Sequence, residues 1–197
     1  MPTNRLEAFS DGVLAIIITI MVLELKIPEE PTLHAAAQSA TGVLTYLLSF
    51  VYIGIYWNNH HHFFALVRHI SGGVLWANLH LLFWLSLLPF TTAWMDESHF
   101  ARLPVMVYGC DLLLCAIAWV IMQNRVIHAD GANSVLPTAI GRDVKGKLSP
   151  FLYVAGILVS WLSPIVAMAI YTIVAVMWLV PDRRFERHAA AIDGVDG

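Results

Sequence analysis

The chain has 197 residues, of which 58% are hydrophobic and only 13% are charged, and its formal net charge is −3. A soluble domain carries about 25% charged residues, and a single small core could hardly bury so much apolar surface, so the composition argues against a soluble globular protein. The near-neutral net charge indicates neither a nucleic-acid partner nor a strongly charged surface.

Six apolar stretches follow one another along the chain, and a membrane-spanning helix needs about 20 apolar residues, with a range of about 17–25. The first four stretches meet this length, and the fifth does so only if Leu148 and its neighbours join it. Ser149-Pro150 and Ser163-Pro164 each resemble an N-cap followed by proline at the first helical position, which predicts a tight hairpin at the end. The stretches are Phe9–Leu25, Leu44–Phe64, Gly73–Trp94, Leu103–Met122, Phe151–Leu162 and Pro164–Val180.

Single residues within the third and fourth stretches carry further predictions. Pro89 removes a backbone donor, so we expect a kink in the third helix. Cys110 and Cys115 lie five residues apart in an apolar run, do not face each other on a helix, and are predicted to be buried thiols rather than a disulfide. Asp111 is an isolated acid, and we expect it to pair with a polar group on a neighbouring helix.

The distribution of basic residues indicates the orientation. With six spans and the N-terminus inside, only Lys26 and Arg102 are external, as the positive-inside rule expects. A five-helix alternative would place the basic tail outside. We therefore predict an all-α membrane protein with six transmembrane helices per subunit over residues 1–182, a tail over 183–197, and both termini cytoplasmic at the plasma membrane. The inner basic residues are Arg5, Arg68, Arg125, Arg142, Lys145, Lys147, Arg183, Arg184 and Arg187.

Polar side chains recur at the inner end of the first three stretches. Ser10 and Asp11 lie there in the first stretch, and ionisable groups within a span are functional hypotheses by default. The structural interpretation is a buried hydrogen-bond network that holds the first helix against the second and third. We choose His61 as a partner because it shares a helix face with Trp57 at i, i+4. The predicted network comprises Trp57, His61, Trp76 and Asn78.

Other chemistry for this polar layer has weaker support. His60, His61 and His62 are consecutive and diverge by about 100° each on a helix, so they do not converge on a metal ion. Ser10 lacks the strained elbow of a hydrolase nucleophile. We predict no catalytic residue, no metal and no cofactor. A proton-coupled secondary transporter that uses Asp11, Asp111 and the histidines is the alternative, although neither an inverted repeat nor a pair of broken helices is evident.

The opening Arg5-Leu6-Glu7-Ala8-Phe9-Ser10-Asp11 has the form R-x-x-x-F-S-D and is followed at once by an apolar helix. This pattern resembles the transmembrane protein 175 family of potassium channels. The resemblance covers roughly residues 5–95 and extends to three later motifs. These are Tyr56-Trp57-x-x-His60-His61, Leu75-Trp76-x-Asn78-Leu79 and Pro89-Phe90-x-Thr92.

The resemblance implies a homotetramer in which the first helix of each subunit lines a central pore for potassium ions. It places Ile16, Ile20 and Leu23 at the pore constriction, which is apolar and has no carbonyl filter. It also implies that Arg5, Phe9, Ser10 and Asp11 tether the first helix to the rest of the subunit. The expected function is a potassium-permeable cation channel with a hydrophobic gate.

The residues themselves leave the pore face open. Ile16, Ile20 and Leu23 are spaced i, i+4, i+7 and form one stripe, with Thr19 on the same broad face as a pore-lining residue. The same isoleucines would equally suit a helix that faces lipid. Glu24 follows the stripe at the outer end, either as an interfacial charge or as an attractor of cations at a pore mouth.

Overall fold

The computed structural model describes residues 3–28, 30–67, 69–131, 136–140 and 143–179, and within these ranges every regular element is an α-helix. Arg68, Arg142 and the tail predicted over 183–197 lie outside the described residues. The nine helices of the described part are α1 Thr3–Leu23, α2 Leu33–Gln38, α3 Ala40–Phe64, α4 Gly72–Leu85, α5 Leu88–Glu97, α6 Arg102–Asp130, α7 Leu136–Ile140, α8 Val144–Ser160 and α9 Pro164–Leu179.

Four helical segments of the described chain are long and apolar enough to cross a membrane: Thr3–Leu23, Leu33–Phe64, Gly72–Glu97 and Arg102–Asp130. The last two long helices, α8 and α9, are apolar but have only 17 and 16 residues. The protein is therefore a multi-pass membrane protein, and the count of six spans stays a prediction.

The long helix α6 lies at the centre of the subunit. It packs against α4, α5, α8 and α9, whereas α1 packs against α3, α4 and α5. The core contains large side chains with almost no exposed surface, among them Tyr52, Phe63, Tyr108 and Tyr171. The first helix is thus attached to one side of a bundle whose core is built by the later helices.

The predicted kink at Pro89 is confirmed. Helix α4 ends at Leu85, and α5 begins at Leu88 with Pro89 in its first turn. Proline has no N–H to donate into the preceding turn, and its ring clashes with the carbonyl four residues earlier, so the helix breaks just before it.

The N-cap predicted at Ser163 is confirmed, and the one predicted at Ser149 is wrong. Helix α9 begins at Pro164, and Ser163 Oγ accepts a hydrogen bond from the Val166 N–H at 3.5 Å. Helix α8 begins earlier, because Asp143 Oδ1 caps the Gly146 N–H at 2.8 Å, and Pro150 lies inside the helix. A carboxylate two turns upstream competes successfully with the serine for the start of the helix.

Two further differences concern the ends of helices. Helix α6 continues to Asp130, beyond the predicted end at Met122, and a short helix, α2, precedes α3. Cys110 and Cys115 are free thiols, as predicted, but only Cys115 is buried, and Cys110 is half-buried.

Candidate ion-conduction site

Helix α1 has one buried face and one exposed face. Its buried side chains, spaced by three or four residues, are Leu6, Ser10, Leu14, Ile17 and Met21. Since successive residues on a helix are separated by about 100°, the residues between them point out of the subunit.

The predicted stripe lies on the exposed face. Ile16 is 59% exposed, Ile20 43% and Leu23 80%, whereas the adjacent Ile17 is only 3% exposed. Thr19 is also exposed, and its hydroxyl donates to the Ile16 carbonyl at 2.8 Å within the helix. The structure therefore presents all four predicted pore residues to the surroundings of the subunit.

A buried chain of hydrogen bonds joins α1 to α3 and α4. Asn78 Nδ2 donates to Ser10 Oγ at 3.0 Å, and Asn78 Oδ1 lies 2.9 Å from His60 Nε2. The Ser10 hydroxyl donates in turn to the Leu6 carbonyl at 2.9 Å. Ser10, His60 and Asn78 are each no more than 3% exposed, so every bond of the chain is shielded from water.

A second pair of contacts lies at the surface of the subunit. Trp57 Nε1 donates to Asp11 Oδ1 at 3.0 Å, and His61 Nδ1 lies 3.8 Å from Glu7 Oε2. Because Ser10 and Asp11 diverge by about 100° around the helix, one bonds to α4 and the other to α3. Two adjacent residues of α1 thus contact two different helices.

Three members of the predicted buried network lie outside the buried chain, since Trp57 is 49% exposed and contacts Asp11 at the surface. The histidine in the buried chain is His60, and His61 instead faces Glu7 at the surface. Trp76 is 75% exposed and points away from Asn78, because residues two apart on a helix lie about 200° apart. Arg5 and Phe9 are also exposed. Of the predicted tethering motif, Ser10 is therefore buried in the subunit, whereas Arg5, Phe9 and Asp11 are exposed.

Sequence reasoning missed His60 and Glu7. The signal for His60 was present in the spacing of α3, where His60 and Phe64 share the face that is buried. Glu7 lies four residues before Asp11 and faces the same helix, α3, through His61.

A groove of about 680 Å³ separates the C-terminal half of α1 from α5. Its α1 side is formed by Val13, Ile16, Ile17 and Ile20, and its α5 side includes Phe90 and Trp94. Near the C-terminal end of α1 it is lined by two acids, Glu24 and Glu97, and Lys26 Nζ lies 3.3 Å from Glu97 Oε1. The exposed stripe therefore continues into an apolar surface that ends at Glu24 and at the Lys26–Glu97 ion pair.

Asp111 is buried in α6, away from this face. The Thr91 hydroxyl of α5 donates to Asp111 Oδ2 at 3.1 Å, which confirms a polar partner on a neighbouring helix. Asp111 Oδ1 has no hydrogen-bond partner among the described residues. Within the same part of the chain, no three His, Cys, Asp or Glu side chains are placed to hold a metal ion.

Known proteins match the chain either along nearly its whole length or over about half of it. A potassium channel of Chryseobacterium sp. (strain P1-3) is 52% identical over 187 residues, which are 95% of this chain and 97% of the relative. The endosomal/lysosomal proton channel TMEM175 of Homo sapiens is 36% identical over 113 residues, 51% of this chain but only 22% of that protein.

The fold and a family profile agree with these relatives. The crystal structure of a lysosomal potassium-selective channel TMEM175 homologue from Chamaesiphon minutus superimposes with a TM-score of 0.76 at 30% identity, covering 90% of this chain and 96% of that one. The family profile described as endosomal/lysosomal potassium channel TMEM175 matches residues 5–89, which include Ser10, His60, Asn78 and the stripe. The chain therefore belongs to the TMEM175 family.

Proposed function

We propose that the protein is a potassium-permeable channel, formed by four subunits around a central pore that α1 lines. The observation that carries the proposal is the exposed stripe of Ile16, Ile20 and Leu23 on a helix whose opposite face is held in the subunit. The bacterial relative named as a potassium channel, which aligns along nearly its whole length, supports the choice of ion.

A ring of subunits is needed because one α1 helix cannot enclose a pore. Closed rotational symmetry brings the same face of each α1 to the axis, and four copies form a layered apolar constriction. The groove between α1 and α5 and the exposed Phe90 provide further apolar surface that assembly would cover.

The proposed topology has six spans with both termini in the cytoplasm of a cell whose plasma membrane holds the channel. The four long segments cross easily, and α8 with its 17 residues reaches about 26 Å, close to the hydrocarbon thickness of about 30 Å. Local thinning of the bilayer accommodates the slightly shorter α9.

The conduction mechanism follows from the chemistry of the constriction. A ring of four Ile16 side chains excludes water when narrow, and such a dewetted segment is a closed gate. When the ring widens, an ion sheds part of its hydration shell to pass. Potassium binds water less tightly than sodium, so its barrier is lower, and selectivity without a carbonyl cage is modest.

The tether, which is the chain of hydrogen bonds from Ser10 through Asn78 to His60, sets the position of the Ile16 ring. Ser10 lies at the start of the span and is bonded through Asn78 to His60, so the inner part of α1 is fixed. The outer part ends in exposed residues from Val22 to Glu24. Glu24 would raise the local concentration of cations at that mouth through its field.

The alternative, a proton-coupled secondary transporter, finds no support, since the relatives are named as channels. The test is purified protein in a planar bilayer under opposed potassium and sodium gradients. We expect unitary currents whose reversal potential lies between zero and the equilibrium potential of potassium. Transport without unitary currents would contradict a channel, and a reversal potential that follows a proton gradient would make protons the principal ion.

A further inference from the structure

Asp111 is a carboxyl group in the interior of the subunit that the proposed pore does not use. It lies in the third turn of α6, about 14 Å from the start of a helix long enough to cross a membrane. The residue is only 4% exposed, and its Oδ1 has no hydrogen-bond partner within the described residues. A carboxylate charge is costly in such surroundings unless a base, a metal ion or a proton neutralises it.

The helices that pack against α6 bring no base to Asp111. In the described part of the chain, none of the ion pairs includes it. Helices α5 and α9 contain no Lys, Arg or His, and the ring of His80 in α4 is bonded to a tryptophan of the same helix. The two lysines of α8 lie near its start, about 15 Å or more along the axis from Ile157, the residue of α8 beside Gly109.

The ionisable side chains that do lie near Asp111 are phenols and thiols, which are uncharged at neutral pH. A metal ion is also a poor fit, because hard cations take about six or more oxygen ligands, and Asp111 Oδ1 meets no polar partner among the described residues. A proton is therefore the group that can neutralise the carboxylate. The neighbouring phenols and thiols are Tyr56 of α3 and Tyr108, Cys110 and Cys115 of α6.

The surroundings of Thr91 in α5 suit a protonated carboxyl. Thr91 Oγ1 lies 3.1 Å from Asp111 Oδ2 and 3.3 Å from the Leu88 carbonyl oxygen, so two acceptors compete for one hydroxyl hydrogen. A carboxylate at Asp111 accepts that hydrogen. A carboxylic acid instead donates to Thr91 Oγ1 and leaves the Thr91 hydrogen for Leu88. The same atoms are thus bonded in either protonation state, and the acid form uses both contacts of Thr91.

We propose that Asp111 is a proton-binding site inside the subunit, occupied at neutral pH by a proton held between Asp111 Oδ2 and Thr91. An exposed carboxyl is ionised at neutral pH, so the folded chain holds one proton that the unfolded chain has released. Stability therefore falls as the pH rises towards neutral. Helix α5 packs against both α1 and α6, so loss of the proton would place a charge beside a helix that supports α1. The site itself does not depend on the proposed pore.

The test is infrared spectroscopy at neutral pH in a detergent without ester groups, where a protonated carboxyl gives a carbonyl band that a carboxylate lacks. We expect such a band, which shifts when aspartate is isotope-labelled at the side-chain carboxyl and disappears in Asp111→Asn. Asp130→Asn is the matched control and should keep the band, because the Asp130 side chain is also only 3% exposed but lies 3.8 Å from His69. In Thr91→Val the band should move to higher frequency, because the acid has lost its acceptor.

Stability supplies a second readout. Between about pH 5 and about pH 7, the unfolding equilibrium constant of the unaltered protein should rise about tenfold per pH unit relative to that of Asp111→Asn. The absence of a labelled aspartate band, a band that persists in Asp111→Asn, or a ratio of unfolding constants that is independent of pH would overturn the proposal. If Asp111→Asn does not fold, the labelled band in Thr91→Val decides, and an unshifted band there would overturn it. No readout uses ion currents, so a failure of the channel proposal would be seen separately.

Discussion

A single amide side chain, that of Asn78, joins three helices of the subunit. Its Nδ2 donates to Ser10 of α1, and its Oδ1 lies within hydrogen-bond distance of His60 of α3. An amide is suited to this position because it offers a donor and an acceptor at the two ends of one rigid plane. This one buried side chain therefore links the proposed pore helix to both α3 and α4.

Replacing Asn78 with leucine should weaken the subunit without altering ion preference. The change leaves the buried His60 ring without its partner, and we expect a loss of about 1–2 kcal/mol in the free energy of unfolding. Thermal unfolding in detergent measures the effect. Asn58→Leu is the control in the same polar layer, because Asn58 is exposed. Equal loss in both variants would show that the buried chain contributes nothing specific.

The polar character of the residues that attach α1 to α3 and α4 was predictable from the sequence. The roles of His60 and Glu7 as partners were not. Matching depth along three helices brings Ser10, Asn78 and the histidines to one level. Depth says nothing about direction around each helix, and a step of about 100° separates His60 from His61. The choice between them is made by the packing of α4, which is a tertiary property.

At the scale of helices, one tyrosine brings α6, α8 and α9 together. The ring of Tyr171 is fully buried, and it occupies the space where a side chain at Gly109 or Gly156 would lie. A Cβ added at Gly109 would lie 2.0 Å from the Tyr171 hydroxyl oxygen, and one at Gly156 would lie 2.4 Å from the ring. Small residues allow this close approach between helices in a membrane, where packing drives association.

Gly109→Ala and Gly156→Ala should each destabilise the bundle. Overpacking a close contact costs about 1–3 kcal/mol, because the ring has no space into which to move. The midpoint of thermal unfolding should fall in both variants and stay unchanged or rise in Gly54→Ala, since an added Cβ there meets nothing within 4 Å. A lower midpoint in Gly54→Ala alone would contradict the packing described.

Local rules predicted some helix ends correctly and failed where two rules competed. Pro89 and Pro164 fix their boundaries because proline removes a donor that no neighbouring residue can restore. The predicted start of α8 was wrong because Asp143 caps the helix earlier, while Ser149 donates to the Lys145 carbonyl and accepts from Trp178 inside it. The six-residue helix α2 is too short to carry a periodic pattern.

At the scale of the whole molecule, the direction in which α1 faces could not be derived from its composition. Both its buried and its exposed faces carry isoleucine and leucine, because lipid and protein interior are equally apolar surroundings. The bundle settles which face is buried. The other face is exposed, and in the proposed tetramer it would meet the same face of α1 from the three other subunits.

The proposed homotetramer should have the mass of four chains. Native mass spectrometry or chemical cross-linking in detergent should show four chains, because a pore lined by one helix per subunit closes only as a ring. Cross-links between cysteines introduced at Leu23, which is 80% exposed, should join α1 helices of different subunits. A monomer that carries unitary current would contradict the ring.

The most direct test of the central claim compares Ile16→Asn with Ile17→Asn by reversal potentials under bi-ionic potassium and sodium conditions. If Ile16 forms the narrowest ring, four amides there hold water, so current should rise and preference for potassium should fall together. Ile17 is 3% exposed, so its variant should lose stability and keep the reversal potential. A shifted reversal potential in Ile17→Asn with an unchanged one in Ile16→Asn would contradict the proposed pore face.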